Sequence, residues 1–191
     1  MNIRAVTEKS GRIHFGLSRI DMNNPVIAVI DAIKLKILVF GPQVHTPSEL
    51  EREAKFQNKR IEIREKLEVL GHTVKYAEDL VDPNLGGPTG NAVFQELIIM
   101  KEYDLIVTLV ESPGSIVEAT MISTRPNLAA KALLFQDSAY AGGLVRSACD
   151  NAVDIGAHFQ EFDYPRDLDE CHLYGKVLKR VSQIQKMKFL L

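Results

Sequence analysis

Five short strand-like runs alternate with helix-patterned stretches over residues 35–191, and that alternation limits the available folds more than any other feature. Residues 35–40 are apolar apart from Lys36 and stop at Gly41-Pro42. Ser48 and Glu51 have the spacing of a capping box and predict a helix from there to about Leu70, closed by Gly71. Residues 72–76 read as a second strand, and the glycine- and proline-rich residues 82–90 as a loop. Asn91 opens a helix to about Glu102, residues 105–110 form a third strand, and a further helix begins at Ser115. Residues 131–135 make a fourth strand, followed by a loop over 137–143 and a helix rich in small residues. Residues 158–162 make a fifth strand, and a last helix runs from about Pro165 to Leu190. Strands that alternate with helices need right-handed crossovers and pair in parallel. The predicted fold class is therefore α/β, a doubly wound five-stranded parallel sheet of flavodoxin-like order 2-1-3-4-5. Residues 1–34 read as an N-terminal extension with a short helix that Pro25 opens, and residues 35–191 as a single α/β domain.

Composition narrows the function classes. A net charge of −2 with pI near 6.2 provides no global field for nucleic acid or anionic lipid. No run approaches the ~20 apolar residues of a membrane span, and the N-terminal residues lack a signal-peptide pattern. Cys149 and Cys171 have neither metal-type spacing nor a disulfide framework, and both read as packing residues. The expectation is a cytoplasmic protein with no membrane partner, no direct nucleic-acid partner, no metal and no cofactor.

In the 2-1-3-4-5 order, strands one and three are neighbours, and a ligand site is expected where the loops after them meet. These loops hold Gly41, Pro42 and His45 on one side and Glu111, Ser112, Gly114 and Ser115 on the other. Gly41 and Gly114 let the backbone approach a ligand, and the helix start at Ser115 offers N–H groups to an anion or a sugar edge. Two readings stand for Glu118. With Ser115 it fits a capping box, and as an ionised carboxylate near a positive helix end it suits glycosyl transfer. Glu111 is a second candidate carboxylate or a solvated strand-end residue, and His45 a proton donor or an exposed loop residue.

Asp104, at the amino-terminal end of its strand, reads as structural. Residues 86–90 read as a lid or a plain connection, and Asp137, Tyr140, Gly142 and Gly143 as a side wall. The basic residues Lys176, Lys179, Arg180, Lys186 and Lys188 share the last helix with the apolar set Val177, Val181 and Ile184. This pattern predicts a packed helix with a solvated basic face.

Several motifs carry a family resemblance over roughly residues 35–136. Val39-Phe40-Gly41-Pro42 resembles the opening AGP motif of the nucleoside 2-deoxyribosyltransferase-like group, with Phe40 in place of the alanine. Residues 67–74 resemble its LE-x-x-G-x-x-V passage. Ser112-Pro113-Gly114-Ser115-Ile116-Val117-Glu118 resembles its S/D-x-G-T-x-x-E catalytic turn, with Ser115 for the usual threonine and Thr120 for a later glycine. The group lies within a wider set that includes TIR and SLOG nucleotide-processing domains. The wording of the turn also resembles effectors of bacterial antiphage systems, some of them associated with retrons.

The resemblance implies cleavage or transfer at an N-glycosidic bond of a nucleoside or nucleotide. Glu118 would act as nucleophile or oxocarbenium stabiliser, and Glu111 as a second catalytic residue. Gly41, Pro42, His45, Ser112, Gly114 and Ser115 would bind substrate. NAD is the favoured substrate, because nicotinamide leaves from a cationic ring without a general acid; a purine deoxynucleoside would need a proton from His45. A homo-oligomer and a defence-system partner are also implied. The alternative is a SLOG-like sensor that binds a nucleotide signal without catalysis.

Overall fold

The computed structural model describes residues 25–87, 90–170 and 172–191; residues 1–24, most of the expected extension, lie outside them. Five parallel strands stand in the order β2-β1-β3-β4-β5, as the alternation predicts. They are β1 (Lys36–Phe40), β2 (Thr73–Tyr76), β3 (Leu105–Leu109), β4 (Ala132–Asp137) and β5 (His158–Phe162). β3 and β4 are buried at every position, as central strands covered on both faces must be. Register runs straight across the centre: Val39 pairs with Tyr76 on one side and Val107 on the other, and Val107 pairs with Leu133.

The period-two alternation of the strands divides the core into two layers. Ile37, Val39, Val107 and Phe135 face α2 (Glu51–Val69) through Phe56, Ile63 and Leu67. The same layer takes Leu173, Val177, Val181 and Ile184 from α8 (His172–Leu190). Leu38, Phe40, Ile106 and Leu134 face the other way, toward α3 (Ala92–Glu102), α4 (Pro113–Ser123), α5 (Pro126–Ala129) and α6 (Gly143–Asp154). Cys149 of α6 is buried in that layer, as expected, and burial pushes its thiol up to about 11. Cys171 lies outside the described residues. The short α1 (Pro25–Ala32) sits beside α8, where Gln185 Nε2 donates to the Ile33 carbonyl at 2.9 Å. Asp104 is structural: it accepts from the Lys36 N–H at 2.8 Å and from Lys188 Nζ at 2.6 Å.

Three expectations are corrected. The Ser48–Glu51 capping box does not form: Leu50 is the residue before α2, with no side-chain cap. Gln57 Oε1 accepts from the Ser48 N–H at 3.0 Å, and the Ser48 hydroxyl donates to Glu53 at 2.7 Å. The terminal helix is not continuous but divides into α7 (Arg166–Asp169) and α8, with Glu170 extended between them. Leu168 and Leu173 both enter the same core layer. In an unbroken helix, residues five apart would point about 140° away from each other, so the break brings both into phase. Arg180 does not belong to a solvated face, being only 7% exposed.

Among the described residues no helix is long and apolar enough to cross a membrane.

Candidate functional site

The carboxyl ends of β1 and β3 lie side by side, and the loops after them meet as the strand order requires. Gly41 turns the chain out of β1 at φ +147°. A Cβ there would lie 2.9 Å from Arg60 Cδ and 3.3 Å from Leu109 Cβ, so glycine is required both sterically and conformationally. Arg60 of α2 is fully buried and organises this end of the sheet. Its guanidinium donates to the carbonyls of Val39 at 2.7 Å, Gly41 at 3.0 Å and Pro42, and to both carboxylate oxygens of Glu78 at 2.8 and 2.9 Å. Glu78 lies in the 3-10 turn Ala77–Asp79 that follows β2.

Across the switch, α4 starts at Pro113 rather than Ser115. Ser112 is the cap, and its hydroxyl accepts from the Ser115 N–H at 3.3 Å. Ser115 Oγ accepts in return from the N–H groups of Ser112 and Glu111, both at 2.9 Å. The capping box therefore joins Ser112 to Ser115, and the Ser115–Glu118 box, one of the two readings of Glu118, is absent. Ser115 is wholly buried, with its hydroxyl committed to the turn.

Free of any capping role, the Glu118 side chain lines a cleft of about 320 Å³ with Gly41, Glu53, Glu78, Glu96, Ser112 and Gly114. A Cβ on Gly114 would lie 3.8 Å from Glu118 Oε1, so the carboxyl sits beside the turn. Glu118 is only 8% exposed, and Oε2 has no hydrogen-bond partner.

The expectation that the helix end keeps Glu118 ionised is overturned. Desolvation pushes its pKa up to about 9, with Glu96 and Glu78 adding to the rise and Arg60 opposing it. Glu118 lies beyond the first turn of α4, where the helix dipole has faded. Burial and Glu78 also raise the pKa of Glu96. The cleft thus holds a neutral carboxyl amid further acids.

Glu111 is not a free carboxylate. Arg52 of α2 grips it with Nε and with Nη2 at 2.9 Å, and Nη2 also donates to Asp137 at 2.7 Å. The guanidinium lies 4.2 Å from the centre of the Tyr164 ring, and its two carboxylates raise its already high pKa. His45 sits outside the Glu118 cleft, its Nε2 2.7 Å from Asp79 Oδ1 and its side chain 53% exposed.

Glu111 lines two further cavities beside the Glu118 cleft. One, of about 230 Å³, shares Glu53 and Ser112 with that cleft and also includes Pro42 and Arg52. The other, of about 330 Å³, lies between Val110, Ile116, Tyr140 and Val145, with Gly142 and Gln136 in its lining. Of the residues read as a side wall, Tyr140 and Gly142 line this cavity, which shares no lining residue with the Glu118 cleft, Gly143 is not in its lining, and Asp137 is buried under Arg52. Gln136 is 1% exposed, and neither of its amide atoms has a partner.

Arg60, Arg52, Glu78, Glu96 and Gln136 escaped sequence reasoning. The arginines occupy α2 positions that look like any charged surface residue, and Gln136 ends an apolar run; no local pattern distinguishes them. Among the described residues no group of three or more histidine, cysteine, aspartate or glutamate side chains is arranged to hold a metal ion. No family model matches the chain, and no curated protein matches it in sequence.

Proposed function

We propose that the Glu118 cleft takes the glycosidic end of a nucleotide, with NAD as the favoured substrate, and cleaves or transfers its N-glycosidic bond. The observation that carries this reading is the environment of Glu118: a buried carboxyl with an unpartnered oxygen, beside the turn glycine Gly114 and close to Glu96 and Glu78. A pyridinium ring offsets the acidic surplus and lowers the pKa of Glu118, so the carboxylate is generated in the complex where it is needed. The C1′–N bond then breaks with its electron pair moving to nitrogen, and nicotinamide leaves neutral without a proton donor. Glu118 forms the ester at C1′ or stabilises the oxocarbenium ion, and water or another hydroxyl acceptor takes the sugar. Glu111, held by Arg52, acts as a positioning residue at the mouth of the neighbouring cavity. The apolar walls of that cavity and the unsatisfied Gln136 amide suit a second planar base.

One observation favours the sensor reading: a carboxyl that stays neutral is a poor nucleophile and a good hydrogen-bond donor. Incubation of wild type and Glu118→Gln with NAD and a nucleoside panel, followed by chromatography, separates the two. Base released by wild type, with a loss of roughly a hundredfold or more in the variant and retained NAD binding, is the expected result. Binding without release from any compound overturns the enzyme and leaves the sensor.

A further inference from the structure

A separate cavity of about 110 Å³ opens at the amino-terminal half of β4 and β5, beneath α8 and away from the Glu118 cleft. Lys176, Lys179 and Arg180 line it from α8, and Leu133, His158 and Gln160 from the strands. The three cationic residues, at spacings of three and four, lie on one face of the helix. Arg180 is 7% exposed, yet its guanidinium bonds only neutral groups: the Ala130 carbonyl at 2.7 Å and Gln183 Oε1 at 3.4 Å. Its Nε is buried without a partner. No carboxylate among the described residues forms an ion pair with Lys176, Lys179 or Arg180, in contrast to Lys188, which pairs with Asp104. A buried guanidinium without a counter-charge is costly, and burial lowers its pKa accordingly. Partial burial and the Arg180 charge also push the pKa of His158 down.

We propose that this cavity is an anion site for a phosphate group, taken either as inorganic phosphate or as the head of a phosphomonoester. The missing counter-charge of Arg180 is the basis, and the lysines add two mobile donors at the rim. The volume accommodates one tetrahedral anion.

Calorimetric titration of the full chain at low ionic strength tests the site, with inorganic phosphate and phenyl phosphate as probes and chloride as the control. One saturable site is expected, weakened by at least about tenfold in Lys176→Gln/Lys179→Gln. Lys101→Gln/Lys186→Gln removes the same charge elsewhere and leaves binding unchanged, as does Glu118→Gln. Tighter binding of phenyl phosphate identifies a phosphomonoester as the ligand, and equal binding identifies free phosphate. No saturable binding of either probe, equal weakening by the two lysine pairs, or loss in Glu118→Gln overturns the proposal.

Discussion

At the residue scale, the burial of Glu118 ties the stability of the fold to pH. Its pKa rises from an ordinary 4.5 to about 9 on folding, so the folded state holds the proton more tightly than the unfolded chain. The stability this provides is fully present below pH 4.5 and is lost progressively as pH rises toward 9. Glutamine keeps the shape without the ionisation. Glu118→Gln is therefore expected to be more stable than wild type at pH 8, by on the order of 5 kcal/mol, with the advantage shrinking to a few tenths near pH 4.5. Urea unfolding across that pH range checks this, and a difference that does not vary with pH would rule out a raised pKa at this position.

At the level of elements, α4 begins on a reciprocal pair of serines, and this sets the direction of the Glu118 side chain. Ser112 caps the helix and Ser115 closes back on the turn, so the glutamate in the next turn is free to face the cleft. Asn91 caps α3 in the same manner, accepting from the Val93 N–H at 2.9 Å. Replacing Ser112 by alanine removes the acceptor for the Ser115 N–H and is expected to cost about 1 kcal/mol. Thermal unfolding gives the stability change, and a variant as stable as wild type would show that the Ser115 hydroxyl suffices to hold the turn. The break between α7 and α8 follows the same logic of phase, because it lets Leu168 and Leu173 reach one core layer.

At the scale of the whole molecule, Arg60 joins α2, the loop after β1 and the turn after β2 at one buried point. Arg60→Met leaves those carbonyls and the Glu78 carboxylate without their shared donor, and a loss of roughly 3–5 kcal/mol is expected in chemical denaturation. A loss below about 1 kcal/mol would mean that the loop holds itself. The alternation of strand and helix patterns was enough to predict the parallel sheet and its 2-1-3-4-5 order, since chain connectivity and crossover handedness leave few other ways to bury both faces. The close turn of the chain at Gly41 is likewise written in the residue type, whereas a Cβ on Gly114 would meet only ordinary contacts. The protonation of Glu118, the Arg52 grip on Glu111 across 59 residues and the bare charge of Arg180 were decided only in three dimensions. Spacing along a chain dictates which residues share a helix face or a strand end, whereas solvent exclusion and charge pairing depend on neighbours that only the packed layers bring together.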